Sequence, residues 1–259
     1  MCFYLRKSIV FLLIIFIFVT LKIYANKEEE RTLKKTLILC LHDIDGEGKY
    51  SITKEEFIKI LDLLKNDYQV LSLEDFYLSK KNKKNNKPAV ILTFDDGFTS
   101  VFDTIIPLLR EYNYGATFFI YLNRYDDTSS FYKKLTLLED KFEIGSHTLS
   151  HDNAISYWET DISKFYKEIY LSKKKLEYLT KRDVVSFAWP YGKYTKDMYE
   201  YVKKAGYKIQ VSTDYGLAEN SLKEIIIKRL TVQQPEPVEQ VKGFLKYYSK
   251  KKGAEKDGS

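Results

Sequence analysis

Seven short apolar runs recur along this chain, and the stretches between them carry helical rather than alternating hydrophobic spacing. The runs are Thr36–His42, Ala89–Phe94, Ala116–Tyr121, Phe142–Ser146, Val184–Trp189, Tyr207–Ser212 and Ile225–Val232. Parallel strands are buried on both faces and need crossover connections, so this order reads as a parallel sheet or barrel covered by helices. Thr53 and Glu56 make a capping box for a helix reaching about Asn66. Ile162, Phe165, Tyr166 and Ile169 mark the apolar face of a second helix, and Tyr199 and Val202 lead a third to a C-cap at Gly206. At 259 residues and 44% hydrophobic content the chain suits one α/β domain, expected over residues 36–248.

The ends differ from this pattern. Arg6 and Lys7 precede an almost wholly apolar stretch, Ser8–Leu21, and Ala25 offers a small residue for cleavage. Residues 1–25 are expected to be a cleaved signal peptide or an uncleaved membrane anchor, either of which places the globular part outside the cytoplasm. Residues 26–35 then form a linker, and the charged residues 249–259 a disordered tail. Lys80–Lys87 reads as a solvated loop. Setting aside Arg6, Lys7 and Lys22 leaves 39 basic against 36 acidic residues, too even a balance for a nucleic-acid-binding protein. Cys40, inside an apolar run, reads as a small buried hydrophobe, and loss of Cys2 with the signal would leave it no partner for a disulfide.

Two strings carry chemistry. Thr93-Phe94-Asp95-Asp96-Gly97 and Ser146-His147-Thr148-Leu149-Ser150-His151 each follow an expected strand, which puts them on the rim where barrel enzymes place their active sites. One carboxylate and two neutral imidazoles suit a borderline divalent ion such as Zn²⁺ and leave coordination positions open, while the second carboxylate is free to take a proton. His147 and His151, spaced i and i+4, converge on one ion if the turn between them is helical. Taken alone, Asp95 and Asp96 would serve equally well to cap a helix running from about Phe98 to Tyr112. The concentration of two of the chain's three histidines in one segment favours the metal.

Together the strings resemble the polysaccharide deacetylases of the NodB-homology type, carbohydrate esterase family four. The resemblance implies a distorted (β/α) barrel over about Leu37–Val232 and a secreted or membrane-anchored hydrolase acting on an acetylated polysaccharide. It implies that Asp96, His147 and His151 hold the metal, Zn²⁺ or else Co²⁺ or Ni²⁺, and that Asp95 is the base. It further implies that Phe187-Ala188-Trp189-Pro190-Tyr191-Gly192 flanks the substrate, with the Tyr191 N–H in the oxyanion hole. Trp189, Pro190, Tyr191 and Arg229 are expected at the substrate, and Trp189, Tyr191 and Phe98 offer rings for stacking on sugars, with core packing the alternative for Phe98.

The chain departs from the commonest family pattern twice. Ala188 stands where an arginine is usual, and no histidine follows His151. Both departures resemble the biofilm poly-N-acetylglucosamine deacetylase branch, in which an early strand-terminal histidine is the proposed general acid; here that is His42, for which a structural role is the alternative. Asp214 and Arg229 are expected to approach the pocket from later strands. Arg229 either replaces the missing arginine beside Asp95 or makes a surface salt bridge. Asp43–Gly48 has the look of a calcium loop, but Lys54 occupies the twelfth position, where a bidentate Glu is needed. The rival readings are an O-acetyl esterase, a peptidoglycan deacetylase and a silent glycan-binding protein.

Overall fold

Strand β1 (Lys35–Leu41) pairs in parallel with β5 (Ala89–Phe94) from Leu37↔Val90 to Leu41↔Phe94, and on its other side with β11 (Leu230–Thr231). Beyond β5 the parallel order continues through β6 (Ala116–Ile120), β7 (Phe142–Ser146), β8 (Ser186–Ala188) and β9 (Ile209–Val211). The short β4 (Gln69–Leu71) lies along the first half of β5, β10 (Ala218–Glu219) runs antiparallel to the start of β1, and β2 (Asp43–Ile44) pairs in parallel with β3 (Ser51–Ile52) apart from the main sheet. At the far edge Val211 bridges in parallel to Ile227, three residues before β11 begins, so the sheet curls until its edges nearly meet. This is a distorted (β/α) half-barrel. The computed structural model describes residues 35–78, 87–126, 128–219 and 226–256.

The period-two alternation of side chains decides what each strand contributes. Leu37, Leu39 and Leu41 of β1, Val90, Leu92 and Phe94 of β5, and Ala116, Phe118 and Ile120 of β6 belong to the large core under the helices. Ile38, Ile91, Phe119, Ala188, Ile209 and Val211 form a separate, smaller cluster inside the barrel. Phe119 fills so much of this interior that a Cβ on Gly145 would sit 2.5 Å from its ring.

Helix α1 (Lys54–Leu64) has the expected capping box and buries Phe57, Ile60, Leu61 and Leu64 on one face. Burial of that stripe, roughly 1.5–3 kcal/mol per large apolar side chain, outweighs any propensity effect. Helix α2 (Leu73–Tyr77) plugs the N-terminal mouth of the barrel: Leu73 belongs to the inner cluster, and Phe76, Tyr77 and Leu78 pack against it. A π-helical turn, Val101–Ile105, leads into α3 (Ile106–Glu111), shorter than the continuous helix expected from Phe98. The remaining helices are α4 (Ser130–Leu135), α5 (Ala154–Thr160), α6 (Ile162–Thr180), α7 (Lys196–Lys204) and α8 (Pro237–Lys256). Most of the tail expected to be disordered instead extends α8 to Lys256, since its lysines, Ala254 and Glu255 are good helix formers.

The N-terminal segment and most of Lys80–Lys87 lie outside the described residues. Among the described residues no helix is long and apolar enough to cross a membrane.

Candidate active site

The inward positions at the C-terminal ends of β1, β5, β6 and β7 fall on His42, Asp95, Tyr121 and His147. Asp95 follows β5 directly, its N–H donating to the Leu41 carbonyl at 2.9 Å. Asp96 (φ 73°) and Gly97 (φ 70°) then both adopt the left-handed conformation and turn the chain across the rim. A Cβ at Gly97 would lie 2.8 Å from Ile120 Cδ1, so both the conformation and the space require glycine. Asp96 has no such freedom, and strain of this kind at a non-glycine residue is a mark of functional sites.

Of the two possibilities, a loop or a helical turn, the histidine string takes the loop. Thr148 (φ 73°) and His151 (φ 62°) are both left-handed, and the His151 N–H donates to Thr148 Oγ1 at 3.0 Å. A buried carboxylate from α6, which sequence reasoning missed, holds this loop. Glu168 accepts from Leu149 N (2.9 Å), Ser150 N (3.0 Å) and Ser150 Oγ (2.9 Å).

The result is convergence on one oxygen. Asp96 Oδ1 lies 3.5 Å from His147 Nε2 and 3.2 Å from His151 Nε2, and it is buried without a hydrogen-bond partner. His147 Nδ1 is 2.8 Å from the Ala188 carbonyl. A carbonyl only accepts, so Nδ1 carries the proton and the Nε2 lone pair faces Asp96. Burial pushes the His147 pKa down to about 3 and lowers that of His151, so both rings are neutral at pH 7. Burial, reinforced by the charge of Asp95, pushes Asp96 up to about 6. Two neutral nitrogens and an unpartnered carboxylate oxygen form a donor set that fits a divalent cation.

Asp95 is its opposite. Its oxygens accept from Arg229 Nη1 and Nη2, both at 2.7 Å, and both residues are buried. Arg229 is fixed in turn by the Ser212 carbonyl (2.8 Å) and Thr93 Oγ1 (2.9 Å). Burial alone would raise the Asp95 pKa, but the forked guanidinium overrides it and holds the carboxyl well below the usual range. Arg229 thus occupies the place beside Asp95 that Ala188 leaves open. The Cys40 thiol, buried as expected, adds a 3.5 Å contact to Asp95 Oδ2.

His42 stacks on Tyr50 (4.7 Å between centroids) with its Nδ1 buried and unpartnered, and one of its ring nitrogens lies within 4.8 Å of an Asp95 oxygen. Burial lowers its pKa too. The exposed ring of Tyr191 flanks His151 at 4.9 Å. Tyr191 is left-handed (φ 57°), and its N–H enters neither hydrogen bond of the turn, which run from Gly192 to Trp189 O and from Lys193 to Pro190 O.

Trp189, Pro190 and Asp214, expected at the site, lie elsewhere. Trp189 shares its parity with Phe187, so its ring points out of the barrel into the helix layer, fully buried between Phe187 (5.0 Å) and Tyr194 (6.1 Å). It offers no face to a sugar. Pro190 is likewise buried. Asp214 is exposed and accepts from the Tyr194 hydroxyl at 2.8 Å. Phe98 is half-buried under the Arg124 guanidinium, 3.7 Å from its ring centroid.

Residues 82–210 match the family model described as polysaccharide deacetylase. A putative polysaccharide deacetylase of Bacillus subtilis, YxkH, is 26% identical over 204 residues, which cover 76% of this chain and 71% of the relative. A poly-β-1,6-N-acetyl-D-glucosamine N-deacetylase of Staphylococcus aureus is 25% identical over 199 residues, 71% of this chain and 68% of the relative. Among solved structures, the Streptococcus pyogenes deacetylase PplD in complex with acetate superposes with a TM-score of 0.71 at 21% identity, covering 82% of this chain and 99% of that one.

Proposed function

This chain belongs to the polysaccharide deacetylase family, and from that premise we propose that it hydrolyses N-acetyl groups on an N-acetylhexosamine polymer outside the cytoplasm, with the help of a divalent metal. The observation that carries the reading is the contrast between adjacent aspartates: Asp95 is forked by Arg229, whereas Asp96 faces two imidazoles with an orphaned oxygen. The metal, best matched by Zn²⁺ and otherwise by Co²⁺ or Ni²⁺, would be held by Asp96, His147 and His151. When bound it supplies polarisation of the acetyl carbonyl and a more acidic water.

The chain's own residues account for the proton movements. Asp95, fixed in direction and ionised throughout the physiological range, accepts the proton of the attacking water. Arg229 makes it a weak base, so it suits a water already acidified. His42 is neutral at rest and must acquire the proton it delivers to the departing amine; with one of its nitrogens within 4.8 Å of an Asp95 oxygen, Asp95 could pass it on through one bridging water. The Tyr191 N–H, outside the turn's own hydrogen bonds, is available to the developing oxyanion. The staphylococcal relative, named for poly-β-1,6-N-acetyl-D-glucosamine, supports an N-acetylglucosamine polymer, and the pattern of residues 1–25 supports an extracytoplasmic location, secreted or anchored.

The test is acetate and free-amine release from a poly-N-acetylglucosamine oligomer, with metal-loaded and chelator-treated protein. Equimolar acetate and amine, abolished by chelation, is the expected result. Acetate released only from an O-acetylated glycan would make the protein an esterase, and binding without release would make it a lectin-like relative.

A further inference from the structure

Of the four arginines among the described residues, three have anionic or carbonyl oxygens to bind. Arg110 pairs with Glu139, Arg229 with Asp95, and Arg182 donates to the Phe142 and Leu138 carbonyls. Arg124 has neither. Its Nη1 donates to the Tyr121 hydroxyl at 3.0 Å, the Tyr125 hydroxyl lies close, and no carboxylate among the described residues pairs with it. The side chain is nevertheless half-buried, its guanidinium over the Phe98 ring at 3.7 Å from the centroid, 5.5 Å from that of Tyr121 and 6.0 Å from that of Tyr125. Stacking of this kind fixes the plane of the fork and leaves its edge for an oxyanion.

The location ties this cation to the active site. Phe98 follows Gly97 directly, and the Tyr121 ring lies 5.3 Å from that of His151. Arg124 is near enough for its charge to favour ionised Asp96 and neutral His151. Clefts open on both sides of Tyr125: one of about 100 Å³ between Thr99, Phe102 and Phe131, the other along Leu122, Asn123 and Asp126. Tyr125, whose hydroxyl lies beside the Arg124 guanidinium, lines both clefts.

We propose that Arg124 is a specificity residue that binds an acidic substituent, a carboxylate or phosphate ester, carried by the glycan on or beside the acetylated sugar. The proposal rests on the deacetylase reading for its substrate class. A planar, pre-oriented guanidinium without an internal anion is suited to a bidentate oxyanion contact, whereas contact with neutral hydroxyls would leave its charge uncompensated.

The test is equilibrium binding, read without turnover, of three N-acetylglucosamine tetrasaccharides: one neutral, one bearing a lactyl carboxylate and one bearing a phosphate ester. The wild-type protein should bind at least one charged oligomer about tenfold or more tightly than the neutral one at low salt, the advantage shrinking as salt rises. Arg124→Gln should erase that preference and leave neutral binding within about twofold, and Arg124→Lys should keep only part of it. The two charged ligands separate carboxylate from phosphate as the natural group. Absence of any wild-type preference overturns the proposal even if the variants fail to fold. So does an equal loss on neutral and charged ligands, which would make Arg124 a positioning residue for Tyr121 and His151. Preference without acetate release would reject the deacetylase reading and keep this one.

Discussion

The barrel holds two buried carboxylates at its opposite ends, and they are treated in opposite ways. At the C-terminal rim Asp95 is gripped by Arg229 and kept charged. At the N-terminal floor Glu143 receives only neutral donors, Thr117 Oγ1 at 2.6 Å and Glu74 N at 2.8 Å, with the Ser186 hydroxyl also beside it. Burial pushes its pKa up to about 7. Between them lies the apolar waist of Ile38, Ile91, Phe119 and Val211. Inward-facing acids alone therefore do not mark a catalytic site. What separates the ends is the counter-charge, which costs buried surface and fixes one protonation state, whereas the floor tolerates either state and serves to seat α2.

That contrast can be broken or sharpened by mutation, in descending order of expected effect on turnover. His42→Ala should lower kcat on amide substrates by roughly 10² to 10⁴ while metal content and fold persist, with a smaller loss on an aryl acetate whose leaving group needs no proton. Equal losses on both substrates with a lowered melting temperature would make His42 structural. Arg229→Met strands Asp95 without its counter-charge, so chemical denaturation should report a loss of about 3–5 kcal/mol, and turnover should fall with it. Glu168→Gln, which weakens the acceptor under the histidine loop, should reduce metal affinity by roughly 10- to 100-fold in a chelator competition.

At the floor the effect should be on stability alone. The folded pKa of Glu143 lies above its unfolded value, so the native state holds the proton more tightly; the stability this contributes is complete below about pH 4.5 and is lost as pH rises through about 7. Glu143→Gln removes that dependence. It should raise stability at pH 8.5 by at most about 3 kcal/mol, leave it little changed at pH 4, and keep kcat within about twofold. A large fall in kcat would show that the two ends are coupled.

Much of this architecture was legible in sequence because it follows from local pattern. The seven apolar runs contain strands β1, β5 to β9 and β11, and the Thr53–Glu56 box opens α1 as expected. What escaped were features set by tertiary context. α2 is a five-residue helix whose place is fixed by Thr117 and Glu143, 44 and 69 residues away. Glu168 lies on a lysine-rich helix where an acid looks like surface charge. Trp189 is different, since strand parity with Phe187 was available and would have sent it outward; the local aromatic motif proved a weaker guide than the alternation of the strand. Whether a loop or a helical turn joins His147 to His151 stays open in the sequence, because i, i+4 spacing says nothing of left-handed backbone.

Bound metal and acetate release, measured side by side in Asp95→Asn and Asp96→Asn, decide the division of labour between these neighbours. Asp95→Asn should retain nearly all of its metal and lose at least ~10² in kcat, whereas Asp96→Asn should lose the metal and the activity together. Equal metal content in the two variants, whether full or absent, would contradict that division.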